Sequence, residues 1–177
     1  MAEIQIHDKV FVSFISKEKI NARLAELAAQ INADYAGKNP IVIGILNGSF
    51  IFAADIFRLL TIEAEISFIK LASYKGTSST GNVVTAIGLE ETLKGRHVII
   101  VEDIIDTGKT LHSFLPELHN RQAASVKIAT FLSKPEALKY EVKADYCAFE
   151  IENKFVVGYG LDYDGLGRNI PELYVLK

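Results

Sequence analysis

Three carboxylates follow directly on an apolar run in the middle of the chain. Residues 98–101 are Val-Ile-Ile-Val, Glu102 and Asp103 come next, and Asp106 lies three residues further on. Two adjacent carboxylates suit the hydroxyl groups of a ribose, or a hard cation that is bound largely through water. Such a segment can therefore bind a sugar through two carboxylates, and it has a third carboxylate nearby.

A phosphate-binding turn is predicted immediately after these acids. Thr107, Gly108, Lys109 and Thr110 stand where a helix is expected to begin. The first turn of a helix offers free backbone N–H groups at the positive end of its dipole, and glycine lets backbone approach an anion closely. The spacing is not that of a Walker A loop. A plainer interpretation, in which the acids cap a loop and Thr107 caps a helix, leaves the coincidence of strand, carboxylates and turn unexplained.

The hydrophobic pattern predicts the elements that must position these residues. Short apolar runs predict strands at residues 41–46, 64–72, 83–87, 97–101, 126–132, 146–151 and 155–157. Helical spacing predicts helices at residues 16–36 with Ser16 as N-cap, at 50–60, and up to about 120 after the phosphate turn, where Pro116 is expected to kink the helix or rearrange it locally.

Strands that alternate with helices indicate an α/β fold with a mostly parallel sheet flanked by helices. Ligands of such sheets bind beyond the carboxyl ends of the strands. The pair Asn47-Gly48, the acidic loop expected at 102–106 with its phosphate turn, and the residues after Val157 are therefore expected along one rim.

The composition favours one domain over residues 1–177. Hydrophobic residues make up 49% of the chain and charged residues 23%, which is typical of a globular protein. A net charge of −3 provides no overall basic field, so neither nucleic acid nor a membrane is expected as a partner. The single cysteine, Cys147, lies in an apolar run and is interpreted as a small core residue. No targeting segment is apparent, and a cytoplasmic protein is expected.

The run Glu-Asp-Ile-Ile-Asp-Thr-Gly-Lys-Thr at residues 102–110 resembles the phosphoribosyl-pyrophosphate signature of type I phosphoribosyltransferases, in the form used by the hypoxanthine-guanine branch. The resemblance extends from about Pro40 to Asn169. It implies a twisted, mostly parallel sheet flanked by helices, a small hood made by the chain ends, and a flexible lid loop. It also implies a homodimer or homotetramer.

The same resemblance assigns the signature segment to the ribose and 5-phosphate of the donor. Glu102 and Asp103 are expected beside the ribose 2- and 3-hydroxyls, and Asp106 is expected to face N7 of a purine as the general base. The whole set implied is Glu102, Asp103, Ile104, Ile105, Asp106, Thr107, Gly108, Lys109 and Thr110.

Three residues are expected to meet pyrophosphate, namely Asn47, Gly48 and Arg168. Leu46-Asn47-Gly48 matches a short loop of the family whose first peptide can be cis, so a cis peptide is predicted at Leu46-Asn47. Many members carry lysine where this chain has Asn47, and a neutral amide does not supply that charge. The guanidinium fork of Arg168 suits phosphate oxygens; the alternative for it is a surface ion pair.

The purine itself is expected to lie among Lys134, Phe155, Val156 and Asp162. Lys134 matches the lysine that contacts the 6-oxo group, and Phe155 matches the aromatic stacking platform. Magnesium is the implied cofactor, with Asp162, Glu102 and Asp103 as its ligands, partly through water. The lid that would exclude water from a reactive ribosyl cation is expected at Ser73, Tyr74, Ser79, Thr80 and Gly81.

The implied reaction joins a 6-oxopurine to phosphoribosyl pyrophosphate, giving a nucleoside monophosphate and pyrophosphate. A xanthine-preferring enzyme stays open, because Lys134 does not separate hypoxanthine, guanine and xanthine, which differ at position 2. An RNA-binding transcription attenuator of the same fold is the alternative from another class. The negative net charge argues against it, since RNA binding requires a basic surface.

Overall fold

The computed structural model describes residues 2–73, 84–88 and 92–177, which form two sheets and three α-helices. In chain order the elements are β1 Glu3–Ile6, β2 Lys9–Ile15, α1 Lys17–Asp34, β3 Ile41–Leu46, α2 Phe50–Arg58, β4 Glu65–Ser73, β5 Val84–Ile87, β6 His97–Ile105, α3 Lys109–Asn120, β7 Ser125–Ser133, a short 3-10 helix Pro135–Ala137, β8 Tyr146–Glu150, β9 Val156–Val157 and β10 Leu173–Leu176. No helix within these residues is long and apolar enough to cross a membrane.

The larger sheet has the strand order β5-β4-β3-β6-β7-β8. Its strands pair in parallel, except for β5, which returns antiparallel to β4 at one edge. The predicted mostly parallel sheet is thereby confirmed. Because β3, β6 and β7 are neighbours that point the same way, the segments that follow them meet at one rim of the sheet.

The apolar strand runs bury both of their faces. In β3, Ile41, Ile43 and Ile45 pack towards α3, while Val42 belongs to the cluster that α1 and α2 cover on the opposite face. Side chains of a strand alternate between the two faces of a sheet, so a strand between two helical layers must be apolar at every position. This requirement explains the uninterrupted hydrophobic runs.

A second, four-stranded sheet with the order β1-β2-β10-β9 forms the hood. Its strands pair antiparallel and come from the two ends of the chain. Phe11, Ile6, Val157 and Tyr174 form the buried cluster of this sheet. The predicted hood of chain ends is therefore confirmed, although β1, β2 and β10 were not predicted as strands.

The carboxylates of residues 102 and 103 lie on a strand, which corrects the loop expected at residues 102–106. β6 continues to Ile105 because β7 pairs with it over its whole length, as far as Ile105 opposite Ser133. The turn proper begins at Asp106.

Three smaller expectations have different outcomes. Ser16 caps α1, where its Oγ accepts a hydrogen bond from the backbone N–H of Lys19 at 3.4 Å. α3 continues through Pro116 to Asn120, because its buried face of Leu111, Phe114 and Leu118 holds it against the sheet. Cys147 is half-buried and not a core residue, since it alternates with the buried Tyr146 and Ala148 along β8.

Candidate active site

Glu102 and Asp103 stand next to each other at the carboxyl end of the central strand β6. Glu102 is 9% exposed, and its Oε2 has no hydrogen-bond partner. Asp103 is partly exposed, and its Oδ1 accepts a hydrogen bond from the backbone N–H of Ile104 at 2.8 Å. A buried acceptor without a partner is costly, so Oε2 of Glu102 is suited to accept a hydrogen bond from a hydroxyl group or to contact a cation.

Burial raises the pKa of the Glu102 carboxyl well above its usual value, and the neighbouring Asp103 charge raises it further. Burial likewise raises the pKa of Asp103, against the lowering effects of its hydrogen bonds and of the more distant Arg168 charge. Desolvation disfavours the charged form of an acid. A bound cation or hydroxyl donor restores the favourable interactions that water supplied in the unfolded chain.

The predicted phosphate turn follows the strand. Gly108 has a φ of 78°, a left-handed conformation that favours glycine, and it directly precedes α3. The backbone N–H groups of Lys139 and Tyr140 both donate to the carbonyl of Thr107, at 3.0 and 3.1 Å. These two hydrogen bonds fix the turn against the segment that follows the 3-10 helix. Residues 102–111 line a cavity of about 260 Å³ here.

The loop after β3 lies directly against this strand end. The Leu46-Asn47 peptide is cis, as predicted, and Asn47 is exposed while Gly48 is buried. A Cβ atom on Gly48 would lie 1.5 Å from Asp103 Oδ2, so only glycine fits here. The carbonyl of Gly48 in turn lies where a side chain on Gly160 would begin, 2.1 Å from the ideal Cβ position. The expected pyrophosphate loop is thereby packed between Asp103 and the segment after β9.

A second cavity, of about 240 Å³, adjoins the first one. The end of β6 contributes Asp103, Ile104 and Asp106 to its wall. The residues expected around a purine, Lys134, Phe155, Val156 and Asp162, line it as well, together with Leu161. Lys134 is 7% exposed, and its Nζ lies 3.7 Å from Asp106 Oδ2. Phe155, which lines the same cavity, is 44% exposed. The two cavities share Asp103, Ile104 and Asp106.

Arg168 points back towards the rim from the loop after β9. Its Nη2 lies 2.5 Å from Asp162 Oδ1, and its Nη1 donates to the carbonyl of Gly160 at 2.7 Å. The other carboxylate oxygen of Asp162 accepts a hydrogen bond from the backbone N–H of Gly165 at 2.7 Å. Arg168, expected to meet pyrophosphate, and Asp162, expected as a magnesium ligand, are thus held in place by each other.

The expected magnesium ligands do not form one protein cage. Among the residues that the structure describes, no three His, Cys, Asp or Glu side chains converge on a common ion. Asp162 lines only the second cavity, and Glu102 lines only the first, whereas Asp103 reaches both. This arrangement suits Mg²⁺, which keeps several waters and takes one or two carboxylates together with phosphate oxygens.

Of the residues expected to form the lid, only Ser73 is described, as the last residue of β4. Tyr74, Ser79, Thr80 and Gly81 lie outside the described residues.

The structure also brings residues to the site that sequence analysis missed. Leu161 lines the second cavity, and Lys9 and Tyr163 contact the ring of Phe155. Tyr163 stands next to Asp162 in the chain, which was a usable signal. No local pattern connects Lys9, near the N-terminus, with a phenylalanine about 150 residues away.

This chain is similar over most of its length to proteins of one family. A family model for the phosphoribosyl transferase domain matches residues 15–164. The hypoxanthine-guanine phosphoribosyltransferase of Streptococcus pneumoniae is 48% identical over 164 residues, which cover 92% of this chain and 91% of that protein. The hypoxanthine-guanine-xanthine phosphoribosyltransferase of Tritrichomonas foetus is 39% identical over 178 residues, which cover 100% of this chain and 97% of that protein.

Solved structures agree with the sequence comparisons. The crystal structure of a hypoxanthine phosphoribosyltransferase from Staphylococcus aureus matches this fold with a TM-score of 0.88 at 37% identity. The match covers 94% of this chain and 91% of that one.

Proposed function

The chain belongs to the phosphoribosyltransferase family, and from that premise we propose that it is a purine-salvage enzyme. It transfers the 5-phosphoribosyl group of phosphoribosyl pyrophosphate to hypoxanthine or guanine and releases pyrophosphate. The observation that carries this proposal is the pair of adjoining cavities, one beside a phosphate-type turn and one beside an aromatic ring, that meet at Asp103 and Asp106.

The donor occupies the first cavity. The backbone N–H groups of Gly108, Lys109 and Thr110 bind the 5-phosphate at the start of α3, where the helix dipole favours negative charge. Glu102 and Asp103 accept hydrogen bonds from the ribose hydroxyls, which satisfies the unpartnered Oε2 of Glu102.

The acceptor base occupies the second cavity and stacks on Phe155. The Lys134 ammonium donates to the 6-oxo group of the purine, and the backbone of Val156 contacts its edge. Asp106 lines the same cavity as Lys134 and takes the proton from N7 as the base attacks. The anomeric carbon then lies where the two cavities join.

Pyrophosphate leaves towards the loop of Asn47 and Gly48 and towards Arg168. Arg168 must exchange its contact with Asp162 for phosphate oxygens, to which its planar guanidinium can donate two parallel hydrogen bonds. Because Asn47 is exposed and neutral, its backbone, and not a side-chain charge, contacts the anion.

The carboxylates of Asp162 and Asp103, through water, are the residues that would hold magnesium. When bound, the ion neutralises charge on the leaving diphosphate. The ion pair of Asp162 with the guanidinium of Arg168 supports a site that accepts positive charge.

The family resemblance supports a homodimer or homotetramer in the cytoplasm. Size-exclusion chromatography with light scattering tests the assembly directly, and a monomer at micromolar concentration would contradict it.

A transfer assay with magnesium and four acceptors, hypoxanthine, guanine, xanthine and adenine, tests the activity. We expect IMP and GMP to form, and chelation of the metal to abolish both. A xanthine-first ranking would favour the alternative substrate, which the Tritrichomonas foetus relative's name includes. A folded protein that transfers to none of the bases but binds RNA in a salt-dependent manner would favour the attenuator.

A further inference from the structure

The ring of Phe155 is held from the side by two aromatic rings: Phe11 of the hood, and Tyr163, which lies in the loop after β9 and packs against the buried cluster of the hood. Tyr163 meets it edge-on, with ring centroids 5.8 Å apart and planes at 85°. Phe11, which is fully buried on β2, lies 6.1 Å from it at 41°. Because Phe155 itself is 44% exposed, these two contacts determine the plane in which its free face is presented.

Tyr163 is in turn fixed by the turn between β1 and β2. Its hydroxyl donates to Asp8 Oδ1 at 2.8 Å, and the Nζ of Lys9 lies 4.4 Å from its ring centroid. The His7 ring packs edge-on against the same tyrosine at 5.6 Å. A charge-assisted hydrogen bond and a cation–π contact thus act on one side chain.

None of these supporting residues lines the cavity in which Phe155 takes part. The Lys9 Nζ also lies 5.6 Å from the Phe155 ring centroid, yet Lys9 is not part of the cavity wall. Asp8, Lys9 and Tyr163 therefore reach a bound base only through Phe155. Asp8 and Lys9 also lie outside residues 15–164, which match the family model.

From these contacts we infer that Tyr163 is a positioning residue for the base-stacking ring, and that Asp8 and Lys9 of the N-terminal hairpin hold it in place. The inference rests on the proposed function, because it concerns the residue on which the purine stacks. The inference predicts a selective effect: loss of Tyr163 lowers the affinity for the base and leaves unaffected the phosphate turn, whose cavity Tyr163 does not line.

Tyr163→Leu tests this inference through separate affinities for the two ends of the site. We expect the KM for hypoxanthine and the Kd for GMP to rise about 3- to 10-fold, the range that corresponds to one aromatic pair. The KM for phosphoribosyl pyrophosphate should stay within about twofold of the wild type. Tyr163→Phe, which keeps the ring and loses the hydroxyl, should recover most of the affinity for the base.

Phe14→Leu is the matched control, since Phe14 is an aromatic residue of the same hood but 36% exposed; it should change neither constant. If Tyr163→Leu does not fold, the surface variants Asp8→Ala and Lys9→Met replace it, with a smaller rise of about 2- to 3-fold in the Kd for GMP. An unchanged Kd for GMP, or an equal loss of affinity for base and donor, overturns the inference. A wild-type protein that transfers to no base contradicts the proposed function instead, so the two failures are distinguishable.

Discussion

The Nζ atom of Lys134 lies 3.7 Å from Oδ2 of Asp106. The two residues follow neighbouring parallel strands, and the register that sets Ile105 opposite Ser133 places the next residue of each strand side by side. In the proposed reaction, Asp106 takes a proton at N7 and Lys134 donates to the 6-oxo group. N7 and the 6-oxo oxygen lie on the same edge of the purine, and the two side chains lie side by side.

Asp106→Asn should remove the general base and leave the cavity in place. We expect turnover to fall by about 10²- to 10⁴-fold, with the KM for phosphoribosyl pyrophosphate little changed, because backbone N–H groups bind the phosphate. Steady-state kinetics with hypoxanthine measure both constants. Glu63→Gln, at an exposed carboxylate before β4, is the control. If the turnover of Asp106→Asn equals that of the control, Asp106 is not the general base.

Lys134→Met should weaken recognition of the 6-oxo group. A hydrogen bond from a charged donor is worth about 1.5–3 kcal/mol, so we expect kcat/KM for hypoxanthine and guanine to fall about 10- to 100-fold. Transfer to adenine, which carries a 6-amino group, should not fall with it. Methionine keeps the volume of the buried stem, and a thermal melt checks that the fold survives. Equal losses for all acceptors would show that Lys134 does not read position 6.

The stability of the ligand-free protein should decrease as pH rises. Burial raises the pKa of Glu102 and of Asp103 above their usual values of 4.5 and 3.8. Over the range above these values the folded chain keeps protons that the unfolded chain releases, so the free energy of unfolding falls with increasing pH. Thermal melts from pH 5 to pH 8 measure this slope.

Glu102→Gln should flatten that slope, because a neutral amide neither binds nor releases a proton between pH 5 and pH 8. The same variant should lose affinity for the ribosyl donor. A slope identical to that of the wild type would mean that Glu102 does not keep its proton in the folded state.

Gly48→Ala should disrupt the expected pyrophosphate loop. The added Cβ would lie 1.5 Å from Asp103 Oδ2 and 2.4 Å from its Cγ, so the loop and the carboxylate must move apart. We expect the KM for phosphoribosyl pyrophosphate to rise at least about 10-fold, since a misplacement of about 1 Å near a reacting centre has effects of this order.

Gly37→Ala serves as the comparison, because nothing lies within 4 Å of its Cβ position. Its φ of 72° costs about 1–3 kcal/mol of backbone strain, so its melting temperature should fall without a change in kinetics. A Gly48→Ala variant with normal donor affinity would show that the loop tolerates the displacement.

Part of the site was predictable because the residues that form it follow one another in the chain. The acids, the glycine of the phosphate turn and the helix start all occur within residues 102–110, and the structure places them along one cavity. The bounds of β6 were not predictable, because Glu102 and Asp103 are poor strand formers and only pairing with β7 extends the strand through them. The hood has a different reason: β2 is rich in strand formers, but its partner β10 comes from the opposite end of the chain, and no local pattern indicates that pairing.

The sequence by itself determined the class of fold and the rim at which ligands bind. Uninterrupted apolar runs can be buried only between two helical layers, and parallel strands bring their following segments together. Only the tertiary structure decided which of those segments touch. Gly48 lies against Asp103, Lys134 lies beside Asp106, and Asp8 holds Tyr163 against Phe155. These contacts join residues far apart in the chain, and their distances depend on strand order and register, which no local pattern specifies.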